Sequence, residues 1–466
     1  MTSSKTRRIV ILGGGPAGYE AALVAASSGA DVTLIEKNAI GGSAVLTDVV
    51  PSKTLIATAE TMTQFSDAGS LGIENMQGLT PQLRVDMNKV NTRVLNLAKQ
   101  QSADIKRALA TAGVKLIHGS ARLADRHTVH VTDNTGLEYE LHADFVLLAV
   151  GTHPREMATG MPDGERILTW TQLYNLREVP EELIVIGSGV TGAEFASAYE
   201  GLGSKVTLIS SRDRVLPGED EDAARVLEDV FERRGVRVMP RSRADAVERT
   251  EAGVVVTLSD GRKVSGTHCL VAIGSIPNTA DMGLEEAGVE LAPSGHVLVD
   301  GVSRTSVNNI YAAGDCTGVY PLASVAAMQG RIAMAHVLGD IVKPLRTDQV
   351  AANIFTSPEI ATVGITEKEL NDGDRRGDAV MIPLPTNPRA KMMAVTEGFV
   401  KIFARKHSGT VIGGVVVGPR ASELIFPISL AVDKKLNVDD LAETFAVYPS
   451  LTGTIAEAAR RLHPRY

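Results

Sequence analysis

Cysteine is nearly absent: Cys269 and Cys316 are the only two in 466 residues. Two are too few for a disulfide framework, and their scarcity fits a reducing cytoplasm. Aromatic residues make up 4% of the chain, with a single tryptophan, which leaves little on which single-stranded bases would stack. Basic charge is short as well. The formal net charge is −8, whereas a phosphate-backbone partner calls for a basic face, so no nucleic-acid partner is expected. No apolar run approaches the ~18 residues of a membrane span, and no stable membrane insertion is expected. Lys5, Arg7 and Arg8 precede an apolar stretch that is only Ile9 to Leu12 before Gly13-Gly14-Gly15-Pro16. That is too short for a signal-peptide core and reads as a first strand. The histidines show no ligand spacing, so no metal is expected.

What the chain does have is glycine, 44 of them, spread along its length, with 44% hydrophobic and 22% charged residues. This is an α/β composition, and the length implies roughly three domains. One arrangement occurs twice. Ile9 to Leu12 is an apolar strand, followed by a glycine turn, an alanine-rich helix from about Ala17 to Ser28, Gly29, and a second strand at Val32 to Ile35. The order returns at Leu183 to Ile186, Gly187 to Gly192, Ala193 to Glu200, Gly201 to Gly203, and Val206 to Ile209. A βαβ duplication at this separation means two nucleotide sites. Between the copies lie a polar helical stretch over about 81–112 and β-rich sequence from Lys115 to Val150. After the second copy, Gly253 to Leu258 and His268 to Ile273 are strand-like, and Ile310 to Ala313 leads into Gly314-Asp315. Past about Leu345, Phe399 to Ala404 and Thr410 to Val417 indicate an antiparallel sheet with helices, a third domain.

Gly13, Gly15 and Gly18 have the G-x-G-x-x-G spacing between strand and helix. The first allows the tight turn, the second lets a pyrophosphate approach the backbone, and the third lets helix pack on strand. Glu36 lies 18 residues beyond Gly18, at the end of the second strand, where a carboxylate bonds ribose hydroxyls. Gly187, Gly189 and Gly192 repeat the pattern, but the matching strand end holds Ser210, then Ser211 and Arg212, with Arg214 close by. Loss of the acid relieves repulsion of a 2′-phosphate, and Arg212 offers a permanently charged fork for one. The second site therefore reads as one for NADPH, or for both NADPH and NADH; Arg212 and Arg214 as solvated turn charges are the plain alternative.

These units, together with Gly41-Gly42, Pro51-Ser52-Lys53, Ile310-Tyr311-Ala312-Ala313-Gly314-Asp315 and Ser357-Pro358-Glu359, resemble the flavoprotein disulfide reductases. That group includes lipoamide dehydrogenase, glutathione reductase and the soluble transhydrogenase. The resemblance covers nearly the whole chain. It implies an α/β fold of two Rossmann-type nucleotide-binding domains plus an α+β C-terminal dimerisation domain, and a homodimer. The FAD domain would be discontinuous, residues 1–155 and 280–347, with the NAD(P)H domain at 156–279 and the interface domain at 348–466. It further implies that Asp315 bonds the flavin ribityl chain, that Gly42, Gly119 and Ala323 lie against FAD, and that Gly274 lies at the second nucleotide. Lys53 would sit near flavin N5, paired with Glu194 on the second nucleotide helix. A cation there favours the negative charge of reduced flavin by up to about 4 kcal/mol at ~4 Å and an effective dielectric of ~20, less what Glu194 cancels.

The chain departs from that family at one function. The family motif reads G-G-T-C-L-N-V-G-C-I-P-S-K, its two cysteines forming a redox disulfide. Here the same run is Gly41-Gly42-Ser43-Ala44-Val45-Leu46-Thr47-Asp48-Val49-Val50-Pro51-Ser52-Lys53. Ala44 and Val49 offer no thiolate, the nucleophile of disulfide exchange. The C-terminal family motif H-P-T-x-S-E supplies the thiol's base from the partner subunit. Here it reads Tyr448-Pro449-Ser450-Leu451-Thr452-Gly453. A tyrosine, with a pKa of ~10, is ionised to about one part in a thousand at pH 7 and is a poor base. Thiol and base are missing together. Cys269 and Cys316 lack the C-x₄-C spacing, and Cys269 reads as a small buried hydrophobe. Some relatives carry a tyrosine lid two residues before the last glycine of the second turn; Val190 stands there in this chain.

The expected activity is an FAD-dependent NAD(P)H:quinone oxidoreductase, closest to the lipoamide-dehydrogenase-like quinone reductases without the cysteine pair. A quinone is the expected acceptor, and Tyr448 of the partner subunit is a candidate hydrogen-bond donor to it. Two other readings stand beside it: a soluble pyridine nucleotide transhydrogenase, and a flavin-bearing sensor or interaction protein. The few cysteines, the short N-terminal apolar stretch and the lack of a membrane-length apolar run lead to the expectation of a soluble, cytoplasmic protein.

Overall fold

A computed structural model of the chain describes residues 6–73, 84–373 and 377–463. Lys5 and the expected start of the polar helix at 81 lie outside the described residues; the helix itself is Met87–Thr111. Backbone contacts divide the chain into two compact units, 1–54 with 91–155 and 275–347, and 55–90 with 156–274 and 348–466.

The first unit is built on a seven-stranded sheet in the order Ile310–Ala312, Phe145–Leu148, Arg8–Leu12, Asp31–Glu36, Lys115–Leu123, Thr128–Asp133, Glu138–His142. The first five strands run parallel, and Lys115–Leu123 then turns antiparallel to Thr128–Asp133 over its second half. Arg8–Leu12 lies centrally, and both its faces are covered. Ile9 and Ile11 enter one core with Leu34, Ala21 and Met334, while Val10 and Leu12 enter another with Val146 and Val129. Burial on both faces explains why this strand is an unbroken apolar run rather than an alternating one. Helices Pro16–Ser27 and Ala323–Leu338 pack closely enough that a Cβ on Gly330 would stand 2.2 Å from the Ala17 oxygen.

The second unit holds a five-stranded parallel sheet in the order Arg237–Met239, Lys205–Ile209, Glu182–Ile186, His268–Val271, Ile167–Leu168. A three-stranded antiparallel sheet, Ala244–Arg249, Val254–Leu258, Lys263–Gly266, follows from it in sequence. The same unit contains an antiparallel sheet in the order Ala351–Ile354, Glu359–Gly364, Val411–Gly418, Phe399–Arg405, Gly377–Pro383. Helices Phe426–Lys434 and Gly453–Arg461 bring Ile428, Ile455 and Ala458 onto Val400, Ile402 and Val416 of that sheet.

A buried ion cluster ties three segments of this unit. Lys401, on Phe399–Arg405, is only 2% exposed, and its ammonium lies 2.9 Å from Asp220 and 2.7 Å from Asp222, with Glu367 also bonded to it. Burial disfavours the charged lysine, yet the three carboxylates outweigh it and hold the pKa above the ordinary lysine value. Asp220 also caps helix Glu221–Arg233 by accepting from Ala223 N–H. Lys401→Met would leave three carboxylates facing one another without their cation. We expect a loss of about 3–5 kcal/mol, read as a lower urea midpoint with an unchanged slope.

Candidate cofactor sites

In the first unit, strand Arg8–Leu12 turns into helix Pro16–Ser27 through Gly13 at φ 104°. A Cβ on Gly13 would stand 2.2 Å from the Ala149 oxygen, and one on Gly18 would stand 1.9 Å from the Gly13 oxygen. No side chain fits at either place, so strand–turn–helix packing sets both glycines. Gly15 differs. Among the described residues, the only atom a Cβ there would approach is Gly42 Cα, at 3.9 Å, and as N-cap it offers the helix no side-chain acceptor. Space and uncapped first-turn N–H groups together suit a pyrophosphate.

Glu36 ends its strand nearly buried. One carboxylate oxygen accepts the Gly14 N–H at 2.7 Å and the other accepts the Asn38 N–H at 2.8 Å. Each oxygen keeps a further lone pair for a ribose hydroxyl. Asp315 opens the turn after Ile310–Ala312. Burial pushes its carboxyl above the ordinary range, against the opposing pull of His296 and a hydrogen bond from Thr152. A buried carboxylate of this kind gains most from added hydroxyl donors, which a ribityl chain carries. Ala323 begins helix Ala323–Leu338, whose N-cap Leu322 gives no side-chain bond. Gly119 is buried within Lys115–Leu123, and a Cβ there would stand 2.4 Å from the Thr132 oxygen; strand packing requires that glycine. The residues present thus fit FAD.

The run that departs from the disulfide-reductase pattern folds as two helices, Gly42–Leu46 and Val49–Ser66. Ala44 is half-buried on the first, Val49 opens the second, and Lys53, half-buried, lies one turn further on. Cys316 is fully enclosed, its sulfur 3.4 Å from the Ala313 oxygen. Burial pushes its thiol up to about 11, against opposing hydrogen bonds from Gly151 and Val150. Burial likewise pushes the Cys269 thiol far up. Neither is a thiolate at neutral pH.

The second unit repeats the turn with the same contacts. Gly187 holds φ 109°, and a Cβ on Gly192 would stand 1.8 Å from the Gly187 oxygen, while one on Gly189 would meet nothing within 4 Å among the described residues. Gly189 caps helix Val190–Gly201 without a side chain, and Val190 is exposed. Gly274 follows His268–Val271 at φ 98° with open space around it. Glu194 is buried and accepts the Phe355 N–H at 2.8 Å, and Ser197 accepts the Ser357 N–H at 2.9 Å.

At the strand end, Ser210 is fully buried. Its hydroxyl shares a 2.7 Å bond with Ser188 of the glycine turn and donates to the Arg212 oxygen at 3.1 Å. It shapes the loop from beneath, while Ser211 and Arg212 are exposed above. Arg214 pairs with Glu221 at 3.6 Å. No motif points to Phe355, whose backbone holds Glu194, or to Arg241, whose N–H donates to the Arg212 oxygen at 2.8 Å. Both are brought in by pairing between segments distant along the chain. Tyr448 is 82% exposed, near Phe445 and Val447, which are also exposed.

The profile of the pyridine nucleotide-disulphide oxidoreductases matches residues 7–330, and that of the same family's dimerisation domain matches residues 350–459. Over 464 residues, 98% of this chain and 94% of the relative, the sequence is 53% identical to a Mycobacterium tuberculosis protein named NAD(P)H dehydrogenase (quinone). It is 34% identical over 455 residues, 97% of each chain, to the dihydrolipoyl dehydrogenase of Bacillus subtilis. The crystal structure of LpdA from Mycobacterium tuberculosis matches with a TM-score of 0.94 at 53% identity, over 98% of this chain and 100% of that one. The chain belongs to the pyridine nucleotide-disulphide oxidoreductase family. It is an oxidoreductase whose cofactors are FAD and NAD(P)H. No helix among the described residues is long and apolar enough to cross a membrane.

Because burial raises the folded-state pKa of Asp315, its ionised form costs the FAD-free protein stability at neutral pH. That cost disappears as pH falls below the unfolded-state value. Asp315→Asn removes it. We expect the FAD-free variant to melt no lower than the parent, while its FAD affinity falls by roughly 1.5–3 kcal/mol, measured as flavin retained after gel filtration and by titration with FAD.

Proposed function

We propose that this protein is an NAD(P)H dehydrogenase that reduces quinones by two electrons and works as a homodimer. The observation that carries the reading is the pair Ala44 and Val49, which removes the disulfide relay while both nucleotide turns are complete. The 53% identical relative's name supports it. A bound FAD would supply the redox chemistry, hydride acceptance from a nicotinamide and two-electron delivery to an acceptor.

The chain's own residues bind and orient. Gly13, Gly15, Gly18, Glu36, Gly42, Gly119, Asp315 and Ala323 hold FAD; Gly187, Gly189, Gly192, Ser211, Arg212 and Gly274 hold the nicotinamide nucleotide, with Ser210 setting their loop. Lys53 supplies positive charge at the flavin and Glu194 partners it. Ala44, Val49 and Val50 give a flat acceptor an apolar wall where sulfur stands in other members. Tyr448 of the partner subunit donates a hydrogen bond from its phenol hydroxyl to a quinone oxygen. The exposure of Phe426, Phe445, Val447 and Tyr448 in a single chain supports a subunit interface at this end.

An acceptor panel tests the reading: benzoquinones, naphthoquinones, lipoamide, oxidised glutathione and an NAD⁺ analogue with NADPH as donor. Turnover is expected with quinones and not with lipoamide or glutathione. Measurable lipoamide reduction would overturn the proposal, and rapid transfer to the NAD⁺ analogue with negligible quinone turnover would make the protein a transhydrogenase. Slow reduction by NADPH with every acceptor no faster than oxygen would point to a sensor. Tyr448→Phe, which deletes one neutral hydrogen bond, is expected to lower kcat/KM for quinone by roughly 2- to 12-fold, with the rate of flavin reduction by NADPH unchanged in stopped-flow absorbance.

A further inference from the structure

The second nucleotide turn has a guanidinium beside it that no motif contains. Strands Lys205–Ile209 and Arg237–Met239 are parallel neighbours, Ile209 opposite Met239. The pairing continues past their ends. Ser210 N–H donates to the Met239 oxygen at 2.9 Å, Arg241 N–H to the Arg212 oxygen at 2.8 Å, and Ser242 N–H to the Ser210 oxygen at 2.7 Å. Arg212 and Arg241, far apart in sequence, therefore emerge side by side at the carboxyl edge of the parallel sheet. That is the edge at which open α/β sheets receive nucleotides.

Three features mark Arg241. Its backbone lies in the left-handed region, φ 49°, where a residue with a Cβ is strained; such strain collects at ligand clamps. Its nearest acidic partner, Asp213, is 3.9 Å away, and with the two side chains 80% and 87% exposed the pair holds the guanidinium weakly. Two arginines nearby are committed elsewhere: Arg214 to Glu221 at 3.6 Å, Arg262 to Asp260 at 2.7 Å. Arg212 is exposed and has no ion pair among the described residues. Ser210, buried and uncharged, bonds the Arg212 oxygen through its hydroxyl and stands at the position that Glu36 holds in the first unit.

We propose that Arg241 is the second jaw of a clamp for the 2′-phosphate of NADPH, closing on it together with Arg212. The inference rests on the NADPH reading of this site. A phosphate near dianionic at neutral pH takes two forked guanidiniums better than one, because each presents paired N–H donors. The pyrophosphate is drawn instead to the open helix N-terminus at Gly189, so the two anionic groups of the nucleotide have separate seats.

The test is calorimetric titration of the FAD-loaded protein with 2′,5′-ADP, which carries the 2′-phosphate and no nicotinamide, and with 5′-ADP, which lacks that phosphate. Parent, Arg212→Ala, Arg241→Gly and Arg241→Lys are compared at two salt concentrations. Arg241→Gly suits the left-handed backbone, so it removes the side chain without a folding penalty, and its melting midpoint should not fall. We expect it to bind 2′,5′-ADP roughly 10- to 100-fold more weakly, to bind 5′-ADP within about twofold of the parent, and to lose part of the salt dependence. Arg241→Lys should fall between. If Arg241→Gly binds 2′,5′-ADP as the parent does, or weakens both ligands equally, the clamp is wrong while the NADPH reading survives on the loss in Arg212→Ala. If the parent itself binds both ligands equally, the NADPH reading and the clamp fall together.

Discussion

Both cofactor sites depend on one close approach, the peptide oxygen that opens each glycine turn lying against the backbone of a glycine in the following helix. A Cβ on Gly18 would stand 1.9 Å from the Gly13 oxygen, and one on Gly192 would stand 1.8 Å from the Gly187 oxygen. Carbon cannot occupy either place, so the helix lies directly against the turn that feeds it. That approach aims the helix N-terminus, capped only by Gly15 or Gly189, into open space. The positive end of the helix and its unsatisfied N–H groups then face whatever anion enters. Binding strength at each site thus begins as a packing constraint.

Above this shared base the two turns diverge at a single strand-end position. In the first unit Glu36 bonds the Gly14 N–H and puts a carboxylate at the edge of the site. In the second, Ser210 reaches the corresponding turn residue through a bond to the Ser188 hydroxyl. Each side chain braces the turn, but only the glutamate leaves a negative charge. A ribose bearing two hydroxyls suits the first arrangement; a ribose bearing a phosphate is repelled by it. The serine keeps the brace and drops the charge, which frees the adjoining loop to present Ser211 and Arg212.

The βαβ repeats were legible in the sequence because they are local. Strand, turn, helix and strand follow one another within about thirty residues, and buried parallel strands such as Ile9 to Leu12 read as apolar runs. Glu36, Ser210 and Arg212 could be placed by counting from the glycines. What the sequence did not reveal comes from pairing at long range. Arg241 meets Arg212 because two parallel strands end together, and Phe355 meets Glu194 because an edge strand of another sheet arrives at the helix. The cluster around Lys401 gathers residues from three segments for the same reason. Ser210 shows a subtler limit. Its position in the motif was clear, but nothing in the order of residues revealed that its hydroxyl would be used up inside the loop.

The departures from the family pattern form a set with one physical logic. Without cysteines at 44 and 49, a base supplied by the partner subunit has no thiol to deprotonate. On the proposed reading, the residue at 448 is then useful as a donor, a role the phenol hydroxyl of a tyrosine can fill. The two remaining cysteines are poor substitutes: burial raises both thiols, and Cys316, beside Asp315, is enclosed at the backbone of its own turn. Lys53 is retained one turn along the helix that Val49 opens, in the same relation to the altered positions as in the family motif. A cation that favours negative charge on the reduced flavin is useful whether the electrons go on to sulfur or to a quinone. Retention of Lys53 beside loss of both thiols is therefore the pattern expected if the electron-accepting half of the site was kept and only the exit was replaced.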